Sequence, residues 1–420
     1  MNPSAPTQFE ASANAWPLVR VRDVAMSFSG GTPPKADQMN WVGTIPWLSP
    51  KDMKSTHLGD TSDHVSEYAA QQYSRLMPAG TVFVVVRGMI LIREIPIALS
   101  TAPMAFNQDI KAFSCSEAVD PEYLLYALIA MSPTLSREIG TSAHGTRRIG
   151  TAALDNLLIP LPPLEQQRSI AEALSTARAR IALEKRRLDL LQELKAAARV
   201  KIFGDLPADI AESPVWPFVP LRTLLREPLR NGHSAAAAPT QTGIPTLTLT
   251  AVTKQAFTSA NVKQTVADSS RVKDLWLHDG DVFIERANTA EMVGLAALYR
   301  GPDDFAIFPD LLIRVRVDEG TLLPEVLTEW LLTPAMRRYF QRHASGAATS
   351  MPKIDQGVVE EALVPVPPRS KQSELRALFS VIDAQIAATT LRSIALAHLF
   401  ESALRRCIER PSAMSTSSHA

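Results

Sequence analysis

The sequence holds few residues arranged for covalent chemistry. It has no phosphate-cradling loop of the form Gly-x4-Gly-Lys-Ser/Thr. It also has no Asn/Asp-Pro-Pro-aromatic run of the kind an amino-methyltransferase uses to hold a target amine. Leu161-Pro162-Pro163-Leu164 comes nearest and lacks the polar first residue. Its 8 histidines are scattered, without an HExxH or Cys/His pairing, so no metal site is indicated. Pro309-Asp310 followed by Asp318-Glu319 echoes a nuclease carboxylate pair. No Lys follows at the required place, and a strand-end turn explains these residues more simply. The chemistry left is non-covalent: cations and amides on turn-rich segments, which the rest of the chain must position.

Composition narrows the class. The 420 residues hold 43 Lys plus Arg against 43 Asp plus Glu, so the protein is not coated in basic charge. Two cysteines, Cys115 and Cys407, cannot build a disulfide framework, which fits a reducing compartment. Met1–Trp16 lacks the apolar core of a signal peptide. The longest apolar stretches, Val82–Val86 and Leu124–Met131, fall far short of the roughly 20 residues that span a bilayer. A soluble, cytoplasmic protein with no membrane partner is expected.

The chain repeats itself. Trp16-Pro17-Leu18-Val19 recurs as Trp216-Pro217-Phe218-Val219, an offset of 200. Gly80-Thr81-Val82-Phe83 followed by Arg87 recurs as Gly280-Asp281-Val282-Phe283 followed by Arg286. Asp109-Ile110 returns as Asp310-Leu311, and Pro121-Glu122 as Pro324-Glu325. Ile159-Pro160-Leu161-Pro162-Pro163 returns as Val364-Pro365-Val366-Pro367-Pro368, at an offset of 205. Matches in one order with a slowly drifting offset mark a duplicated unit.

Each copy has two parts. The first carries short β-branched runs, such as Thr81–Val86 and Leu311–Val317, between Pro and Gly breaks, and reads as a mixed α/β globule. The second is a heptad stripe: Ile170, Leu174, Ala177, Ile181, Leu188, Leu191, Ala198 and Ile202, with polar gaps at Glu184 and Lys195. The later copy gives Leu375, Phe379, Ile382, Ile386, Leu396, Phe400, Ala403 and Cys407, with gaps at Thr389 and Ser393. A 3.5-residue apolar period predicts a helix packed along another helix. At 1.5 Å per residue each helix is a rod of roughly 60 Å, longer than a 150-residue globule is wide, about 35–40 Å. Packing of each rod on its own globule is the plainer alternative. The expected fold class is therefore α+β: two homologous mixed α/β globules separated by two long helices that form an antiparallel coiled coil. The expected segments are a disordered tail over 1–15, a globule over 16–163, a helix over 164–204, a second globule over 214–368, a helix over 369–410 and a disordered tail over 411–420.

At the residue level the chain resembles the specificity (S) subunits of type I restriction–modification systems, the HsdS class. The resemblance rests on Gly31-Thr32-Pro33, on Trp41-x-Gly43-x-Ile45-Pro46-Trp47-Leu48-Ser49-Pro50-Lys51-Asp52, on Arg87-Gly88 and on Asn107-Gln108-Asp109. Pro160–Gln167 and the helix behind it resemble that family's central conserved region. In the second half, Gly243-Ile244-Pro245-Thr246 lacks the following Trp, Pro309-Asp310 replaces Asn-Gln-Asp, and Pro368-Arg369-Ser370-Lys371-Gln372 replaces the Leu-Glu-Gln-Gln run. The resemblance implies a non-catalytic subunit that reads a bipartite, asymmetric site in double-stranded DNA, one half per target-recognition domain. It implies two methyltransferase (M) subunits docked on the helices, which also set the half-site spacing, and restriction–translocation (R) subunits beyond them. S-adenosylmethionine, ATP and Mg belong to those partners. A two-headed protein-binding scaffold without DNA specificity is the competing reading.

Charge gives this reading only local support. Residues 1–163 hold 12 Lys/Arg against 14 Asp/Glu and residues 214–368 hold 15 against 17, whereas 164–203 holds 9 against 5. A domain that grips DNA alone is usually basic, so a few local cations must read base edges while a partner holds the backbone. Arg and Lys donate bidentately to guanine, and Asn and Gln to adenine. The candidate readers are Lys51, Lys54, Arg87, Asn107, Gln108, Lys111, Arg147 and Arg148 in the first globule. In the second they are Lys254, Lys263, Arg271, Arg286 and Lys353. Solvated surface cations are the alternative for each, and a self-bonded turn is the alternative for Asn107, Gln108 and Asp109. Arg178, Arg180, Lys185, Arg186 and Arg187 lie mostly off the apolar stripe, as a solvated helix face or as a partner contact. Trp41 and Trp47 are candidates for base stacking or for core packing.

Overall fold

A computed structural model describes residues 16–141, 145–204, 216–239, 242–346 and 351–408. The tails expected over 1–15 and 411–420 lie outside the described residues. The chain forms two compact units, one of residues up to 185 with those from 392 onward, the other of residues 186–391.

In the first unit the Trp-Pro and Pro-Pro signatures meet. Leu18–Arg20 pairs antiparallel with Leu158–Pro160, and Leu161 N donates to Pro17 O at 2.9 Å. Between them runs a five-stranded sheet in the order Ala25–Ser29, Ile110–Cys115, Val82–Val85, Ile97–Ser100, His57–Leu58. Its central strand is Val-Phe-Val-Val and is buried at every position, so both sheet faces are covered and apolar alternation is lost. Helix Pro121–Ala130 supplies part of that cover. Pro121 opens it, Asp120 caps it by accepting from Tyr123 N at 3.1 Å, and it is apolar nearly all round because it is buried all round. A three-stranded sheet, Asp63–Val65, Ile45–Leu48, Ala105–Phe106, flanks the first, with the last pair parallel.

The second unit repeats this plan. Phe218–Pro220 pairs with Leu363–Pro365, and Val366 N donates to Pro217 O at 2.9 Å. The main sheet runs Arg230–Asn231, Leu312–Val315, Val282–Glu285, Ala296–Leu298. Ile244–Leu247 pairs with Val262–Thr265, and Thr246 bridges in parallel to Ile307 as Trp47 does to Ala105. The fold class is α+β, with two mixed α/β globules of one plan and two long helices.

Those helices are Leu164–Phe203 and Arg369–Ile408, 40 residues each. They run antiparallel in both units. In the first, Arg178 lies over the Phe400 ring and Glu184 pairs with Arg392 at 3.5 Å. In the second, Arg187 donates to Gln385 at 3.3 Å and Lys195 to Asp383 at 2.5 Å. Of the stripe residues, Leu174, Leu375, Phe379, Ile382 and Phe400 are buried. Ile170, Ala177, Ile181, Ala198, Ile202, Ile386 and Ala403 pack half-buried against the cores, and Leu188, Leu191 and Leu396 are half-buried too. Leu404 and Ile408, each one residue past a stripe position, are buried as well, and the side chain of Cys407 lies outside the described residues. Two expectations merge here. Each helix packs on the other helix, and each also packs on globule: Tyr126 meets Phe400, and Phe203 meets Trp330.

A buried glutamine fixes each helix to its globule. Asp120 N donates to Gln167 Oε1 at 2.8 Å, and Gln167 Nε2 donates to Ala118 O and Pro162 O at 3.0 and 2.8 Å. Leu323 N donates to Gln372 Oε1 at 2.8 Å, and Gln372 Nε2 donates to Thr321 O and Pro367 O at 2.9 and 2.8 Å. The second copy therefore keeps the clamp although its Leu-Glu-Gln-Gln run has been replaced. Leaving such buried groups unpaired costs about 1–3 kcal/mol each. Gln167→Ala and Gln372→Ala are each expected to destabilise their own unit by about 3 kcal/mol, read by denaturant titration with hydrogen exchange localising the loss. A large loss at one position and none at the other would contradict the equivalence.

Candidate nucleic-acid interface

Backbone pairing gathers several predicted residues at one end of the first globule's main sheet. Beyond Val82–Val85, the amides of Val86 and Arg87 donate to Asp109 O at 2.8 and 3.2 Å. Arg87 then bridges antiparallel to Arg148, and Gly88 N donates to Arg147 O at 3.1 Å. Gly88 has φ +138°, a conformation that disfavours any side chain. Arg87, Gln108 and Arg148 are exposed, while Arg147 and Lys111 are half-buried. Thr32 Oγ1 donates to Gln108 Oε1 at 2.6 Å, Arg147 Nη1 to Thr141 Oγ1 at 2.7 Å, and Lys111 Nζ to Ser29 Oγ at 2.7 Å. Arg87 Nη1 stands 3.8 Å from Asp109 Oδ1.

Asn107 does not fit its expected role as a base reader. It is 6% exposed, its Oδ1 accepts from Asp109 N at 3.0 Å, and its own amide donates to Leu48 O. It is a turn former. The tryptophans likewise belong to a core: Trp41 and Trp47 meet edge to face at 5.0 Å, and Trp47 Nε1 donates to Gly31 O at 3.1 Å. Lys51 and Lys54 sit on a separate segment, in and after the short turn Pro50–Asp52, and Lys51 Nζ donates to Asp63 at 2.7 Å.

The second globule builds the same strand end with other side chains. Ile110 pairs with Val85, and Leu312 with Glu285. Thr32 bonds Gln108, and Ser234 bonds Asp310. A Cβ on Gly30 would meet Phe106 O, and one on Gly232 would meet Phe308 O. Asp310 therefore stands where Gln108 stands, not where Asp109 does. The Arg87–Arg286 match also shifts by one: Ile149 N donates to Val86 O and Ile354 N to Arg286 O, while Ala287 bridges to Lys353 as Arg87 does to Arg148. With a side-chain period of two, that shift turns Arg286 to the opposite face, where it is half-buried and donates to Asp310 O at 3.4 Å. Glu285 accepts from Thr253 at 2.7 Å and from Asn288 at 2.5 Å, and burial pushes its carboxyl above the usual range. Lys353 is exposed at this end. Lys254, Lys263 and Arg271 are exposed on other segments: after the turn Thr250–Thr253, on strand Val262–Thr265 and in the turn Ser269–Val272.

The sequence reading missed Arg230 and Asn231. Both are exposed on the strand beside Leu312–Val315, and Gln356 Nε2 donates to Asn231 Oδ1 at 3.2 Å. The signal was Gly232, whose close approach to Phe308 O marks the position of Gly30. Asp310 and Asp318 are turn residues: Asp310 accepts from Ser234, and Asp318 accepts from Gly320 N at 3.1 Å and Thr321 Oγ1 at 2.8 Å. Among the described residues, no group of three or more His, Cys, Asp or Glu is placed to hold a metal ion, and no helix is long and apolar enough to cross a membrane. Cys115 is a structural thiol, pushed up to about 12 by burial and then by Asp120.

The turn that carries Lys51 is braced by a carboxylate, Asp52. Burial raises the Asp52 carboxyl, but hydrogen bonds from Ser62 and Ser49 outweigh it and hold the group below the usual carboxylate range. A lowered folded value contributes stability above the unfolded value, and that stability is lost as pH falls through the folded one. Hydrogen-exchange protection across residues 49–63, taken relative to the intrinsic rate at each pH, is expected to fall below about pH 4. Asp52→Asn should remove that acid dependence while weakening the turn at neutral pH; an unchanged acid profile in the variant would contradict this.

A model of the type I restriction modification DNA specificity domain matches residues 14–193. The chain is 32% identical over 154 residues to the EcoR124I/EcoR124II specificity subunit of Escherichia coli, covering 36% of this chain and 38% of that protein. It is 25% identical over 272 residues to the EcoKI specificity subunit of Escherichia coli, covering 61% and 58%. The chain thus spans 38% and 58% of the lengths of these two relatives. In fold it is similar to the crystal structure of a type I restriction–modification S subunit from M. genitalium, with a TM-score of 0.60, 12% identity and coverage of 96% and 98%. Residues 14–193 thus match a type I restriction modification DNA specificity domain, and the chain is similar in sequence and in fold to type I specificity subunits.

Proposed function

We propose that the chain is the non-catalytic, DNA-reading subunit of a type I restriction–modification complex. The observation that carries this reading is the strand end built twice on one backbone frame and furnished differently. The first globule presents Arg87, Gln108 and Arg148; the second has a buried Ala287, a half-buried Asp310 and an exposed Lys353 at the equivalent positions. A shared frame with different donors and acceptors suits two unlike half-sites, and exposed arginine, lysine and amide groups supply the base-edge chemistry.

In this reading residues 16–163 and 214–368 each read one half of a bipartite, asymmetric site in double-stranded DNA. The helices over 164–204 and 369–410 set the spacing and dock two methyltransferase subunits, with restriction–translocation subunits joining the same complex. S-adenosylmethionine, ATP and Mg act on those partners, in the cytoplasm. Apolar residues on the outer helix faces support the docking role: Leu190, Leu194, Leu378 and Val381 in the second unit, and Leu183, Ile394 and Leu399 in the first, are 44–66% exposed. The near-neutral charge of both globules agrees with a backbone grip shared with partners.

The test is the methylome of cells expressing the chain with an adenine methyltransferase subunit. Exchanging residues 16–150 with those of another S subunit should change one half-site and leave the other; a change in both halves would refute the modular assignment. Arg148→Ala and Lys353→Ala should each relax a single position in different half-sites, at about 1–3 kcal/mol of discrimination. Binding of protein partners by the complex without any sequence-specific DNA binding would favour the scaffold reading.

A further inference from the structure

The turn that follows Arg87 exposes large apolar side chains, which the turn at the same place in the second globule does not. Residues Met89–Ile92 form a single 3₁₀ turn. In such a turn, side chains three residues apart eclipse one another, so Met89 and Ile92 form one ridge. They are 60% and 58% exposed, whereas Leu91 is 3% exposed and Ile90 packs against the core. The ridge is held firmly: Gly88 N donates to Arg147 O, Leu91 N to Gly88 O, and Arg93 N to Ile90 O. Its surroundings are cationic, with Arg87, Arg93, Arg147 and Arg148 on the turn and its paired strand against Glu94 and Asp109. In the second globule the turn after Ala287 exposes Thr289, Ala290 and Glu291, while Met292 is half-buried and Val293 buried.

We propose that Met89 and Ile92 are an apolar wedge that the first globule inserts between base pairs, kinking the duplex at the half-site it reads. This rests on the DNA-reading function proposed above. Two apolar side chains on a fixed turn, ringed by cations, complement a polyanion with an apolar stacked interior. Met and Ile belong to the side chains that unstack base steps, the unstacking being offset by the extra surface a bent duplex can contact. The second globule has no such ridge, so the kink belongs to one half-site only, and sequence preference arises there at the unstacked step without a hydrogen bond to it.

The experiment uses the full chain assembled with methyltransferase subunits and a duplex bearing the motif its methylome defines, with fluorophores at both ends. The wild-type complex should draw the fluorophores together on binding. Met89→Ser/Ile92→Ser should abolish that signal and weaken binding about tenfold, the share expected from losing one wedged step. Its melting temperature should stay unchanged, because both side chains are exposed. Mismatches placed in turn at each step of that half-site unstack the duplex beforehand, and one of them should bring the variant back close to wild-type affinity. Bending by the variant equal to wild type would overturn the wedge, as would a deficit that no mismatch relieves. A deficit that vanishes when thymine is replaced by uracil would overturn it in favour of a methyl contact. A wild-type complex that binds its motif without bending it sinks the wedge alone, whereas one with no sequence-specific binding sinks the DNA-reading function as well.

Discussion

A helix of 40 residues with a continuous apolar seam has more surface to cover than a neighbouring globule can offer. The fold answers by giving much of each seam two partners. Leu174 and Phe400 belong to the same core as the first globule's sheet, and Leu375, Phe379 and Phe203 to that of the second. Each compact unit is thus a globule completed by parts of both helices, residues 164–185 with 392–408 in one and 186–203 with 369–391 in the other. Folding of either globule and pairing of the helices are one event in each unit, because the side chains that pair the helices also close the globule.

The polar interruptions of the seam show how its register is held. Glu184 is buried between Arg180 and Arg392, and Thr389 is fully buried. Lys195 Nζ lies 3.0 Å from Glu329 Oε1 and 2.5 Å from Asp383 Oδ1, while Arg199 reaches Glu329 at 2.6 Å. Buried ion pairs of this kind add little net stability, since desolvation offsets the attraction. Their value lies in specificity, because a shift of the helices by one heptad would strand a charge in an apolar seam. Glu329 stands on helix Pro324–Leu331 of the globule, so Lys195 ties the helix pair and the globule to one register.

The repeat and the rods were legible because period and order survive sequence change. Trp-Pro and Pro-Pro pairs mark two strands that bond each other, and a 3.5-residue stripe persists whichever apolar residue fills it. Equivalences inside the globules were not legible to single residues. Asp310 stands for Gln108 because the connection between the two strands is two residues longer in the second globule, and Ala287 stands for Arg87 although Arg286, one residue earlier, carries the matching charge. Only hydrogen bonds fix the frame. Gln372 was overlooked for the opposite reason: its neighbours Arg369-Ser370-Lys371 had changed, but the one side chain that clamps the helix had not. Asn107 was misassigned because a motif residue that makes a turn and one that reads a base are the same residue type, and burial alone separates them.

The neutrality of the globules becomes intelligible once charges are sorted by partner. In the second globule Arg314 and Arg316 are committed inward, to Glu227, Asp281 and the Trp276 carbonyl, and Arg300 is held by Asp279 and Glu325. Burial lowers the Arg314 guanidinium from its ordinary value, and the neighbouring Arg316 adds to that. Counting such residues toward a basic surface misreads them, just as counting Asp281 or Asp52, which cap and brace turns, toward an acidic one does. In the function proposed above, recognition falls to a small set of cations at the strand ends, Arg87 and Arg148 in one globule and Lys353 in the other, held there by backbone bonds that do not depend on their side chains. Because main-chain bonds make the frame, it is the same in both globules although the side chains it carries differ.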